Sequence, residues 1–161
     1  MGVARVHIET WRSAYRGIVP QAFLDTLSVQ RRARNYTFDA SGPDDPLTWI
    51  ALDQGTVVGF VTITGPKKDD PVGTGEVAAL YVASERWRSG VGSLLLHKAE
   101  ILLRDSGATS ARLWVLEDNE RGRRFYEAQG WRFDGGEQTI EIGGEAVVEV
   151  RYQKSLTNQS S

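Results

Sequence analysis

Gly90-Val91-Gly92 follows the apolar run Val77–Val82 after a short charged turn, and it opens an amphipathic segment that closes at Gly107. Strand, glycine turn and helix N-terminus in this order leave backbone N–H groups unpaired and point the positive end of the helix dipole at them. The chemistry that suits such a place is anion binding. A P-loop would need Gly-Lys-Ser/Thr at the helix start, and here Gly92 is followed by Ser93-Leu94. A dinucleotide fingerprint would need a small residue where Leu95 stands. What remains is a turn that holds a phosphate or pyrophosphate without either signature. Arg86 and Arg88 flank it, and Arg121, Arg123 and Arg124 follow in the next helical segment.

Several elements must position this turn. Ala4, His7, Ile8, Trp11, Ala14, Tyr15 and Ile18 recur at helical spacing, with Gly17 and Pro20 as stop signals. A second helix is expected over roughly Pro20–Tyr36, and the stretch Asp39–Pro46 reads as a loop. Thr48–Leu52 and Val57–Thr64 form a hairpin pattern about Asp53-Gln54-Gly55. After the turn-rich stretch Gly65–Gly75 comes the strand beginning at Glu76. The helix after Gly92 has a core stripe of Val91, Leu95, Ala99, Leu102 and Leu103, opposite a polar face of Ser93, His97, Glu100 and Arg104. Ala111–Leu116 is a further strand, with Asp118 or Asn119 able to cap the helix behind it. Thr139–Ile142 and Ala146–Tyr152 give a second hairpin across Gly143-Gly144. The order indicates one α/β (α+β) domain with a mixed, mostly antiparallel sheet and flanking helices, spanning residues 1–156 before a polar tail, 157–161.

Composition narrows the function. A chain of 161 residues with 40% hydrophobic and 25% charged residues can bury a core without staples. It has no cysteine, which removes disulfides, thiolate metal sites and cysteine nucleophiles and fits a reducing cytoplasm. A net charge of −2 argues against a nucleic-acid partner, and no apolar run is long enough to span a membrane. His7 and His97 are the only histidines and neither stands in a ligand cluster, so no metal is expected.

Trp87-x-x-Gly90-x-Gly92, followed some thirty residues on by Asn119 and Phe125-Tyr126-x-x-x-Gly130-Trp131, resembles the GNAT superfamily of acetyl-CoA-dependent N-acetyltransferases. The resemblance runs from about Ala4 to Leu156. It implies that the strand Glu76–Val82 splays from Ala111–Leu116 and that pantetheine pairs with the backbone of Leu80, Tyr81 and Val82. It implies that the pyrophosphate meets the amides of Arg88, Ser89, Gly90, Val91, Gly92 and Ser93, with Asn119 helping to hold the co-substrate. Tyr126 matches the tyrosine often placed near the thioester sulfur.

The implied reaction is direct attack of a primary amine on acetyl-CoA in a ternary complex. An alkylamine has an ordinary pKa near ~10.4, so a base must take its proton. Backbone N–H groups can stabilise the oxyanion and a tyrosine hydroxyl can protonate the leaving thiolate. Glu76, placed before Gly92 as the catalytic glutamate is in histone-type members, is the first candidate base and Glu117 the second. A non-catalytic acyl-CoA-binding or sensing module is the alternative.

Three features depart from the family pattern. Trp87 stands where Gln or Arg is commoner, and Gly122 where alanine is usual. The strand that precedes the first helix in similar proteins has no counterpart, so either the start codon was placed late or the sheet begins at Thr48–Leu52. In the latter case an open edge invites a homodimer unless it is covered. The acceptor is expected to be a small-molecule or peptide amine, in a pocket shaped by Trp11, Tyr15, Tyr36 and the Gly65–Gly75 loop.

Overall fold

The computed structural model describes residues 1–36, 38 and 45–157. Most of the expected Asp39–Pro46 loop, and the tail after Thr157, lie outside them. Helix α1 (Gly2–Ala14) is followed by α2 (Gln21–Thr26) and α3 (Val29–Arg34), then by strands β1 (Leu47–Asp53), β2 (Thr56–Thr64) and β3 (Thr74–Val82). Helix α4 (Val91–Asp105), β4 (Ser110–Leu116), α5 (Glu120–Ala128), β5 (Arg132–Ile142) and β6 (Glu145–Ser155) complete the chain. The six strands make one sheet in the order β1-β2-β3-β4-β6-β5. Only β3 and β4 run parallel. No described helix is long and apolar enough to cross a membrane.

The single helix expected over Pro20–Tyr36 is two short ones. Leu27 leaves helical geometry (φ −66°, ψ 135°), and the Ser28 hydroxyl then accepts from Arg31 N–H to cap α3. A serine in mid-pattern offers the backbone a cap as readily as a helical position.

Residue parity assigns the two faces of the sheet. Val61 and Ile63 of β2 meet α4, whose Leu95, Leu96, Ala99 and Leu103 are buried against Leu113, Trp131 and Tyr152. Phe60 faces the other way, onto Val3 and Val6 of α1. In β3, Val77, Leu80 and Val82 pack with the α4 core, whereas Ala79 and Tyr81 pack with α1. Val77 and Leu80 share a face because the register slips at Ala78: Ile63 pairs with Val77 but Thr62 with Ala79. An extra residue of this kind reverses side-chain parity downstream and sharpens the local twist.

Glu100, expected on a solvated face of α4, instead accepts from Trp131 Nε1 (3.0 Å) and from Lys154 Nζ (3.1 Å). These partners come from distant chain positions, and they tie α4 to the end of α5 and to β6. Leu156 is buried in the main core. Strand β1 is an edge strand with Trp49, Ile50 and Leu52 exposed, and Lys98 of α4 lies over the Trp49 ring.

Candidate active site

β3 and β4 pair over three positions only, Thr74 with Ser110, Gly75 with Ala111 and Glu76 with Arg112. β3 then continues to Val82 along β2, and β4 to Leu116 along β6, so the strands part. A cleft of about 1070 Å³ fills the gap and reaches from the α4 N-terminus to α1 and the β5–β6 hairpin.

Antiparallel strands alternate hydrogen-bonded and non-bonded pairs. Ala83 N–H donates to Val58 carbonyl (2.8 Å), two register steps from the Phe60–Tyr81 pair. The backbone of Tyr81 therefore faces β2, and that of Leu80 and Val82 faces the cleft. Val82 carbonyl already accepts from Thr10 Oγ1 (3.2 Å) and Trp87 Nε1 (2.9 Å). Of the three residues expected to meet a pantetheine arm, Leu80 thus presents both backbone groups, Val82 its N–H, and Tyr81 its side chain.

At the turn, Arg88 (φ 64°) and Gly90 (φ 90°) are both left-handed. Glycine adopts this freely, whereas arginine is strained there. Ser89 N–H and Oγ both donate to Arg86 carbonyl (3.3 and 2.5 Å), so Ser89 closes the turn. The first intrahelical bond of α4 runs from Leu94 N–H to Gly90 carbonyl (3.0 Å), leaving the amides of Val91, Gly92 and Ser93 ahead of it. Gly90, Gly92 and Ser93 line the cleft. A Cβ on Gly92 would stand 3.3 Å from Phe125 Cζ, so its absence lets α5 close on the α4 N-terminus. Gln129 Nε2 donates to Ser93 Oγ (3.0 Å) across the same contact.

Trp87 ties the turn to β3 through its indole N–H and carries the Arg121 guanidinium over its ring. Burial, and then nearby Arg88, lower the pKa of Arg121. A guanidinium at Arg121 with a second cation, Arg88, close by suits a site for an anion.

Asn119 caps α5: Gly122 N–H donates to its Oδ1 (3.1 Å). A Cβ at position 122 would lie 2.6 Å from Asn119 Nδ2, so glycine leaves the amide room to fold over the helix start. Tyr126, one helical turn further, lines the cleft against Phe125 and Trp131. Burial, and then the neighbouring Tyr81, raise the Tyr126 pKa well above 10.0. It holds its proton throughout the physiological range and can donate it.

Glu76 is 5% exposed and lies at the point where the strands part. Its Oε2 is 2.9 Å from Lys67 Nζ and 3.9 Å from Arg112, without the angles of a hydrogen bond. Arg112 also holds Asp70 at 2.5 Å. Glu117 is exposed and does not line the cleft; its amide pairs with Val148 carbonyl and its carbonyl accepts from Arg123.

Trp11 and Tyr15 line the far end of the cleft, together with Ile140, Ile142 and Glu149. Tyr36 does not; it bonds His7 Nδ1 (2.5 Å) and stacks on Phe38. Lys67, from the Gly65–Gly75 loop expected to shape the pocket, also lines the cleft, whereas sequence reasoning missed Glu149 and Gln138. A carboxylate between Val148 and Val150 in a strand was the one available signal for Glu149.

The profile of the Acetyltransferase (GNAT) family matches residues 7–131. The uncharacterized N-acetyltransferase YuaI of Bacillus subtilis is 32% identical over 152 residues, covering 92% of this chain and 83% of that protein. A probable N-acetyltransferase of Mycobacterium tuberculosis is 30% identical, with 94% and 85% covered. Among solved structures, the PaiA N-acetyltransferase of Thermoplasma acidophilum in complex with coenzyme A superposes with a TM-score of 0.68 at 21% identity, covering 94% of this chain and 89% of that one. The chain belongs to the GNAT family and is an acetyltransferase.

Proposed function

We propose that the protein transfers an acetyl group from acetyl-CoA to a primary amine by direct attack within a ternary complex, in the cytoplasm. The observation that carries the reading is the parting of β3 from β4 beyond Glu76 and Arg112, beside the free amides of α4. The donor set fits the co-substrate. The amides of Val91, Gly92 and Ser93, with Arg88 and Arg121 near them, suit a pyrophosphate, and Leu80 and Val82 offer main-chain groups to an amide-bearing arm. The structurally similar PaiA, solved in complex with coenzyme A, supports the same assignment.

Within this reading Glu76, with Lys67 and Arg112 beside its carboxylate, takes the proton of the acceptor ammonium, directly or through water, so that the neutral amine can attack. The amides of Leu80 and Val82 stabilise the developing oxyanion. Tyr126 gives its proton to the departing thiolate, a role its raised pKa permits. Asn119 and Ser93 complete the co-substrate site.

Thiol release from acetyl-CoA with a panel of amines tests this. Release that depends on the amine, and is lost in Glu76→Gln and Tyr126→Phe, is expected. Tight acetyl-CoA binding with no release for any amine would favour the binding-module alternative.

A further inference from the structure

The charged residues along the cleft are unevenly compensated. Arg88 and Arg121 lie at the α4 end beside Arg86, which pairs with Asp53, and Glu76 lies between Lys67 and Arg112 where the strands part. Glu149 lines the opposite end and forms no ion pair among the described residues. Its one hydrogen-bond partner is the neutral amide of its cross-strand neighbour Gln138, whose Nε2 donates to Oε2 at 2.7 Å. That bond fixes the carboxylate without neutralising it.

The walls around Glu149 are aromatic and aliphatic. Trp11 and Tyr15 meet edge-on (4.9 Å between ring centroids), and Ile140, Ile142 and Leu116 line the same end. The Glu149 charge contributes to raising the pKa of both Tyr15 and Tyr81, behind the larger effect of burial, which places both hydroxyls within its field. A partly buried carboxylate with no cation beside it favours a cationic ligand, and aromatic faces strengthen the preference.

We infer that Glu149, oriented by Gln138 at the end of the cleft that Trp11 and Tyr15 also line, binds a second ammonium group of the acceptor, so that the substrate class is an aliphatic diamine or polyamine. This rests on the acetyl-transfer reading and gives its acceptor a chemical class. The attacking nitrogen must be neutral when it reacts, so a lasting positive charge belongs to a different nitrogen. The cleft then receives an anionic donor at its arginine end and a cationic acceptor at its glutamate end, which meet between β3 and β4.

Three four-carbon probes separate the possibilities: putrescine, n-butylamine and γ-aminobutyrate, which carry at the far end a cation, no polar group and an anion. With acetyl-CoA and the full chain, kcat/KM is expected to fall from putrescine to n-butylamine to γ-aminobutyrate. Glu149→Gln should raise KM for putrescine roughly 10- to 100-fold, the scale of a lost charge-assisted hydrogen bond, with kcat changed far less. Glu149→Lys should shift the preference towards γ-aminobutyrate. Unchanged acetyl-CoA affinity by calorimetry keeps misfolding apart from lost recognition, and if Glu149→Gln fails to bind acetyl-CoA the wild-type ranking decides. Thiol release with no preference among the three probes overturns this inference and leaves acetyl transfer standing. A fall in kcat with unchanged KM for all three also overturns it, since Glu149 would then be the base. No release with any amine removes both readings.

Discussion

Glu76 and Arg112 are the last residues paired between β3 and β4, and the same two side chains bring a carboxylate and a guanidinium to 3.9 Å at the root of the cleft. The point where the sheet opens is therefore also where a buried carboxylate sits. The geometry needs both partners. Arg112 spans Glu76 and Asp70, whose side chains are 7% and 6% exposed, so its removal strands two acids away from water. Arg112→Met is expected to destabilise the fold by roughly 3–5 kcal/mol, the cost of breaking a buried ion pair. Glu76→Gln keeps shape and volume, and should lower kcat by about 100-fold or more with a small change in melting temperature. Steady-state kinetics alongside thermal melts separate the two. A Glu76→Gln enzyme with wild-type kcat would exclude Glu76 as the base.

Tyr126 supplies an independent check on the leaving-group side. Its hydroxyl is protonated far above neutrality, so the acid form is available at every working pH. Tyr126→Phe should cut kcat roughly 100-fold while KM for acetyl-CoA stays near its wild-type value, because the ring still packs against Phe125 and Trp131. Stability has its own signature. The folded pKa lies above the unfolded value of 10.0, so this contribution is complete below pH 10.0 and is lost as pH rises beyond it. Tyr126→Phe should lessen the alkaline loss of stability measured by denaturant titration.

Much of the cleft was legible in the sequence because its parts are local. The turn needs glycine at φ 90°, the helix needs Asn119 at its cap, and both leave their residue types in the chain. The parting of β3 from β4 was expected from the family resemblance alone, since Val77–Val82 is apolar throughout and shows no alternation from which a bulge at Ala78 could be read. Glu100 was misassigned because its partners Trp131 and Lys154 are brought to it by the fold. Glu149 was overlooked for the same reason: its meaning comes from α1 and β3 arriving beside it. Gly122 departs from the alanine usual at that position, and its missing Cβ makes room for the Asn119 amide that caps the helix.

The glycine turn predicts a division between its two glycines. A side chain at position 90 meets no atom within 4 Å, so Gly90→Ala is opposed by backbone conformation alone, at about 1–2 kcal/mol. At position 92 the conformation is ordinary, but Phe125 stands 3.3 Å from the new Cβ. Gly92→Val must push α5 away from the α4 amides and should raise KM for acetyl-CoA more than Gly90→Ala does. Calorimetry with acetyl-CoA on both variants checks the order. The reverse order would place the anion away from the Gly92–Phe125 contact.

His7 gives the fold a pH-dependent contribution to stability on the acid side. The ring is buried between α1 and the sheet, stacks on Tyr81 at 4.7 Å and shares a 2.5 Å hydrogen bond with Tyr36, and its Nε2 has no partner. Burial, and then the nearby Arg32 charge, lower its pKa from 6.5 to about 4. The unfolded chain therefore binds a proton at His7 before the folded chain does. The neutral ring's contribution to stability is present above pH 6.5 and is lost as pH falls through about 4. Its size is on the order of 3 kcal/mol. His7→Gln is expected to be less stable near neutrality and to show a flatter stability profile between those two pH values. Urea unfolding of both proteins across that range measures it. Parallel profiles for wild type and His7→Gln would assign the acid sensitivity to groups other than His7.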